Sequence, residues 1–159
     1  MTVLVTAHSI EVRTSRVHGR GVYASRRLPK GTFIGLYEGR RYNSEQLLKV
    51  DWHKRHGGMT YLFGLSDGMT IDGAQGGNAT RFLNHCCEPN CEAVEEIETD
   101  GCIRLRVVTT KTIATGTELF IDYALTIDES ETPAAYGCRC GALSCRGSMA
   151  AMNVKPTPI

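Results

Sequence analysis

The chain has 159 residues, 42% of them hydrophobic and 22% charged, with a formal net charge of +1. That length fits one domain large enough to bury its own core, and the near-neutral charge excludes a surface built chiefly to hold DNA or an anionic membrane. No apolar run approaches the roughly 18 residues that span a bilayer, and the opening MTVLVTAHS lacks a secretory leader's basic region and long apolar stretch. The expectation is an intracellular protein, cytoplasmic or nuclear, with no membrane and no direct nucleic-acid partner.

In chain order, the sequence predicts many short strands and one helix. Residues 22–25 and 32–37 are short and β-prone, on either side of the turn Leu28-Pro29-Lys30-Gly31. A helix is expected over 43–56. Asn43 can cap it, Gln46 stands at the reciprocal capping-box position, Leu47, Leu48 and Trp52 supply a stripe, and Gly57-Gly58 stops it. Residues 61–65 and 69–71 read as a hairpin around Ser66-Asp67-Gly68, and 91–97 with 103–108 as a second around Asp100-Gly101. Residues 117–123 form another short strand. The acidic, proline-containing segment 128–135 reads as a flexible linker. Seventeen glycines suit a mostly β architecture rich in tight turns.

Seven cysteines in an intracellular chain point to metal ligands and buried thiols rather than disulfides, and an odd count cannot pair off within one monomer. Three of them, Cys138, Cys140 and Cys145, stand in CxCx4C spacing near the C-terminus. Structural zinc takes four ligands in a tetrahedron, commonly four thiolates, so one thiol is missing. The cluster Cys86-Cys87-x-x-x-Cys91 is the natural donor.

Four separated stretches resemble SET-domain protein lysine methyltransferases. Gly19-Arg20-Gly21-Val22-Tyr23 is similar to the family's N-terminal GxG motif. Tyr37-Glu38-Gly39 is followed by Tyr61-Leu62-Phe63. RFLNHCCEPNC, residues 81–91, is similar to RFxNHxCxPNC, and GTELFIDY, residues 116–123, to GEELxxDY with Thr117 in place of the first glutamate. The cysteine tail is similar to the post-SET zinc module. No cysteine-rich segment precedes His18, and the stretch between Gly39 and Tyr61 is short, so a compact, minimal member is expected. The resemblance implies a mostly β fold with few helices, the SET β-clip of short sheets with a C-terminal pseudoknot. It implies a SET domain over 10–127, a linker over 128–135 and a post-SET zinc module over 136–149.

It also implies S-adenosylmethionine as methyl donor, a lysine amine as acceptor and one structural zinc. Tyr123 and Tyr37 would be the catalytic residues. The Tyr123 hydroxyl would align amine and methyl, and Tyr37 would line the lysine channel with Phe63 and Ile121. Cofactor contacts would come from His18, Gly19, Arg20, Gly21, Tyr61, Arg81, Asn84, His85, Tyr123 and Met149. Cys87 would be the fourth zinc ligand, with Cys91 its rival, leaving Cys86 and Cys102 as free thiols. Arg139 and Arg146, beside the ligands, would offset the cluster's negative charge. Ile121 stands where a tyrosine would hold a water, so di- or trimethylation is expected. The acids Glu88, Glu92, Glu95, Glu96, Glu98 and Asp100 form either a solvated hairpin face or a wall attracting a basic peptide such as a histone tail, which would pair with the strand at 61–65. The alternatives are a catalytically silent SET module that binds a peptide or partner, and a zinc-stabilised adaptor, which explains the tail but not the other motifs. The sequence leaves the oligomeric state open.

Overall fold

The computed structural model describes residues 9–51, 61–127 and 129–151. Ten short strands dominate them: β1 Ile10–Thr14, β2 Arg20–Ala24, β3 Phe33–Leu36, β4 Arg40–Tyr42, β5 Leu62–Gly64, β6 Thr70–Asp72, β7 Asn84–His85, β8 Cys91–Ile97, β9 Ile103–Thr109 and β10 Glu118–Ile121. They form three small sheets, ordered β1-β2-β10-β7, β3-β9-β8 and β4-β6-β5. The fold class is therefore the expected one, mostly β with few helices.

Both expected hairpins are present, with Gly68 and Gly101 in the left-handed region at φ 85° and 80°. Strand β9 shows why such a sequence makes sheet. Ile103, Leu105, Val107 and Thr109 are buried while Arg104, Arg106 and Val108 are half-exposed, the period-2 pattern of a strand with one face on the core. One core cluster gathers Val22, Leu83, Cys91, Val107, Leu119 and Ile121. A second gathers Tyr37, Leu65, Ile71, Ile103 and Leu105, and Phe63 packs against both.

The expected helix is shorter than its pattern. Helix α1 is Ser44–Leu48, closed by Lys49. Its capping box forms, with Gln46 N donating to Asn43 Oδ1 and Asn43 N to Gln46 Oε1, both at 2.8 Å. The stripe finds no core, however: Leu48 is 89% exposed. A short helix without buried contacts does not propagate, and residues 49–51 leave it. Trp52, His56 and Gly57-Gly58 lie outside the described residues. Within the expected linker, a 3-10 turn begins and spans Pro133–Tyr136.

Three strands escaped the sequence reading: β1, β4 and β7. Of these, β7 matters most for assembling a site. It pairs in parallel with β10, Asn84 opposite Phe120 and Ile121 opposite His85, and Cys86 N donates to Ile121 O at 3.1 Å. The Asn90 side chain extends this contact, its Nδ2 donating to Glu118 O at 2.9 Å and its Oδ1 accepting from Phe120 N at 2.8 Å. The stretch 84–90 is thereby fastened along the whole of β10.

Candidate functional site

Strand β10 lies between β2 and β7, which brings the glycine turn at 19–21, the segment 84–87 and the end of β10 together. The organising group is a carboxylate. Glu118 is 8% exposed and receives hydrogen bonds from Ser15 Oγ (2.8 and 3.0 Å), Tyr23 Oη (3.1 Å) and Asn84 Nδ2 (2.9 Å). Ser15 Oγ in turn accepts from Val17 N and His18 N at 3.0 and 3.4 Å, and Ser15 N donates to Gly19 O. Asn84 Nδ2 also lies 3.1 Å from His18 O and 2.9 Å from Arg20 O. The Asn84 amide is thus engaged with the glycine turn, shaping the place where a ligand would meet it. Gly19 turns the chain at φ 47° with open space beside it, and at Gly21 a Cβ would sit 2.1 Å from Glu118 Oε1. Both glycines answer steric demands. Arg20 and Arg81 flank the ring of Phe82, at 4.8 and 4.6 Å from its centroid, and Tyr61 meets that ring edge-on at 6.2 Å.

Below this turn runs a groove of about 660 Å³ lined by Tyr37, Tyr61, Phe63, Arg81, Ile121 and Tyr123 among others. Each aromatic wall is pinned. Tyr37 Oη donates to Tyr61 O at 2.7 Å, its ring packs 5.4 Å from that of Phe63, and burial raises its pKa. Tyr123 Oη donates to Leu83 O at 2.6 Å, and burial, reinforced by Tyr61 and Glu118, pushes its pKa up to about 12. Tyr123 is therefore a neutral phenol at pH 7. Its proton is committed to Leu83, and the remaining lone-pair side of the oxygen is available to a ligand.

Next to the groove, Cys87, Cys138, Cys140 and Cys145 place their sulfurs within 4.8 Å of one another. Cys87 Sγ lies 3.9 Å from Cys138 Sγ and 4.0 Å from Cys145 Sγ. Four thiolates at about 2.3 Å around a tetrahedral ion would stand about 3.8 Å apart, so the cluster can hold a metal. Arg146 N and Gly147 N each donate to a cluster sulfur at 3.4 Å, onto Cys87 and Cys145. The tail docks through Glu88 as well, whose carboxylate accepts from Ser144 N at 2.9 Å. Cys91 takes no part: it is fully buried in the first core cluster, which pushes its thiol pKa up to about 12. Cys86 is buried against Glu88 O, and Cys102 is exposed.

Two tail residues make contacts that the sequence did not foresee. The Arg146 guanidinium bonds Asp122 through both terminal nitrogens at 2.9 Å, the bidentate geometry arginine prefers with a carboxylate, while its charge also acts on Cys87 and Cys138. Met149 enters through its backbone, accepting from Leu125 N at 3.0 Å and donating to Tyr136 O at 2.8 Å. The acidic region is also partly neutralised. Arg106 pairs with Glu96 at 3.0 Å, Arg104 with Asp100 at 3.1 Å, and Glu95 accepts from Ser66 N at 2.7 Å. Sequence reasoning passed over Glu118, Asn90, Ser15 and Asp122 as site residues. All but Ser15 lay inside the motifs that carried the resemblance, and a carboxylate in an otherwise apolar strand was the available signal at Glu118.

Residues 19–124 match the SET domain family. The chain is 34% identical over 146 residues to the histone-lysine N-methyltransferase SETD2 of Mus musculus, an alignment covering 91% of this chain and 6% of that protein. It is 31% identical over 138 residues to the histone-lysine N-methyltransferase trithorax of Drosophila melanogaster, covering 86% and 4%. Against the histone-lysine N-methyltransferase SUV39H2 of Macaca fascicularis the identity is 33% over 153 residues, covering 85% and 37%. The chain thus spans only a minor part of the curated relatives it matches.

The geometry carries two expected outcomes. Protein purified without chelator is expected to carry about one thiolate-bound metal per chain by elemental analysis, with Cys87→Ala losing the metal and Cys91→Ala keeping it; the reverse pattern would make Cys91 the ligand. Glu118→Ala removes the acceptor shared by buried Asn84 and half-buried Ser15 and Tyr23, so the urea midpoint should fall by an equivalent of about 1–3 kcal/mol, the scale for disrupting a buried hydrogen-bonded group. An unchanged midpoint would remove Glu118 from its organising place.

Proposed function

The chain belongs to the SET-domain family, and we propose that it is an S-adenosylmethionine-dependent protein lysine N-methyltransferase whose substrates are basic proteins, histones foremost, in the nucleus or cytoplasm. The observation that carries this reading is the convergence of Tyr37, Tyr61, Phe63, Ile121 and Tyr123 on one groove, whose wall at Arg81 and Leu83 leads directly to Asn84, the partner of Glu118. The SETD2, trithorax and SUV39H2 relatives, each a histone-lysine N-methyltransferase, support the reaction and the substrate class. On this reading 10–127 is the catalytic SET domain, 128–135 a connector and 136–149 a post-SET module with zinc in the four-cysteine cluster, a donor set that suits structural zinc.

When bound, S-adenosylmethionine supplies a sulfonium methyl open to attack by an amine lone pair. The open glycine turn at Gly19–Gly21 fits such a ligand, and His18, Arg20, Tyr61, Arg81, Asn84, His85 and Met149 would hold it. The chain's own part begins with the lysine. A free lysine is only about 0.04% neutral at pH 7, so the amine must arrive deprotonated and stay out of bulk water. Tyr37 and Phe63 form apolar walls for the aliphatic stem, and their ring faces favour a methylated, cationic product. Tyr123 accepts a hydrogen bond from the amine on its lone-pair side, which turns the nitrogen lone pair along the channel. It is no base at neutral pH, because a phenol whose pKa is pushed up to about 12 does not take a proton from an amine there. Peptide recognition falls to β5, an edge strand that lines the groove with Leu62, Phe63 and Gly64 and can pair with an extended substrate. With Glu96 and Asp100 ion-paired to Arg106 and Arg104, the acidic wall is weakened and the main-chain contact leads.

Incubation with isotopically labelled methyl donor, histones and total cell extract, followed by mass spectrometry, tests the assignment: labelled methyl-lysine is expected, and its absence from every protein would leave a binding module. Tyr123→Phe should lower turnover roughly 100–1,000-fold, the scale for losing one preorganised hydroxyl at a reacting centre, while cofactor affinity stays within a few-fold by calorimetry. Near-normal turnover would remove Tyr123 from that role. Ile121 is 3% exposed and carries no hydroxyl to anchor a water, so space remains for a methylated amine. A time course under excess methyl donor should proceed past monomethyl-lysine, and Ile121→Tyr should halt it there.

A further inference from the structure

The ring of His85 stands between the cysteine cluster and Tyr123. It is buried, 4% exposed. Its Nδ1 accepts from the Tyr123 backbone N–H at 2.9 Å, and its Nε2 lies 3.4 Å from Cys87 Sγ. A ring nitrogen that accepts an amide hydrogen carries none of its own, so the proton of the neutral imidazole sits on Nε2 and points at the sulfur. The ring also meets the Tyr123 ring edge-on, centroids 5.4 Å apart. A second link runs beside the first. Arg146 N donates to the same Cys87 sulfur at 3.4 Å while its guanidinium grips Asp122, whose Oδ1 lies 3.5 Å from His85 Nδ1. Both neighbours at the end of β10 are thus tied to one metal-ligand atom.

We propose that His85 is a positioning residue that couples occupancy of the four-cysteine site to the placement of Tyr123. A sulfur held among four ligands is fixed in place and negatively charged, and an N–H donated to it is a charge-assisted bond. That bond keeps the ring proton on Nε2. Nδ1 is then left bare to hold the Tyr123 N–H, and with it the backbone from which the phenol is directed at Leu83 O. A sulfur that moves with a released tail enforces neither the tautomer nor the ring angle. The proposal rests on the reading of Tyr123 as the reacting-centre tyrosine only for its catalytic consequence; the coupling itself is structural.

The test uses the full chain with 15N-labelled tyrosine. There are six tyrosines, and the Tyr123 amide is the resonance missing from Tyr123→Phe. Removing the metal with a chelator should shift the Tyr123 amide while Tyr42, in the separate β4-β6-β5 sheet, stays put. In His85→Asn the shorter amide can still accept from Tyr123 N but does not reach Cys87. There the Tyr123 amide should be indifferent to the metal, and metal transfer to a chromophoric chelator should be about 10–100-fold faster, the scale for losing an outer-shell partner. In His85→Gln, which reaches Cys87 but not Tyr123 N, the metal should be retained and the Tyr123 amide already displaced. A Tyr123 amide unmoved by demetallation in the wild type, or moved equally in His85→Asn, overturns the proposal. Should chelation unfold the whole chain, so that Tyr42 collapses too, the metal-release rates decide, and equal rates in His85→Asn and wild type overturn it. None of these readouts needs methyl transfer, so an absence of labelled methyl-lysine in the labelling experiment would be a separate result.

Discussion

The parallel pairing of two residues, Asn84 and His85, with the end of β10 is the contact on which the rest of the site depends. Two residues make a poor strand by any local measure, and parallel ladders are slightly weaker than antiparallel ones. This one holds because side chains complete it. Asn90 occupies the backbone of β10 at Glu118 and Phe120, and the Asn84 amide binds Glu118 from the other side. Because strand side chains alternate, the register also sets which groups face where. Leu119 and Ile121 enter the core cluster, while Glu118 turns towards Ser15, Tyr23 and Asn84.

Glu118 shows how a buried carboxyl group is kept by hydrogen bonds. Three donors converge on it, from Ser15, Tyr23 and Asn84. Each of them also anchors a different piece of chain: Ser15 the turn before the glycines, Tyr23 strand β2 and Asn84 the segment after the 3-10 turn Ala79–Phe82. A network that is fully satisfied specifies one arrangement, whereas a partly satisfied one is worse than an apolar core. The glycine at 21 belongs to the same constraint, since a methyl there would collide with the carboxylate.

Much of this was legible in the sequence, for reasons that differ between elements. The two hairpins announce themselves through Asp-Gly turns, where the required φ > 0 has a local chemical cause. The capping box at Asn43 and Gln46 was equally local, yet the helix length was not, because length depends on whether Leu48 finds a core, and it does not. Counting thiols supplied three ligands and a shortfall of one. The resemblance chose Cys87 over Cys91 for the fourth, and the start of β8 gives the physical reason, since Cys91 turns inward to pack with Val107 and Leu119. The alternation in Ile10-Glu11-Val12-Arg13 was readable as β1 and passed unread. Strand β7, the choice of partners for Glu118 and the Asp122–Arg146 pair carry no local signature. Each joins residues 24 to 103 positions apart, and only the assembled sheets bring them into register.

The cysteine cluster joins Cys87 to Cys145 across 58 residues. During synthesis, Cys87 therefore waits while the second hairpin, β10 and the tail emerge. At about 5–20 residues per second this is an interval of roughly 3–12 s, long compared with the formation of a hairpin. Strands up to β9 can pair within that interval. The residues that line the groove, Tyr37 to Thr126, all precede the tail, and the four-cysteine cluster is what completes last. A nascent chain thus has its β scaffold and the lining of its groove in hand while Cys87 still lacks the three partners that complete its cluster.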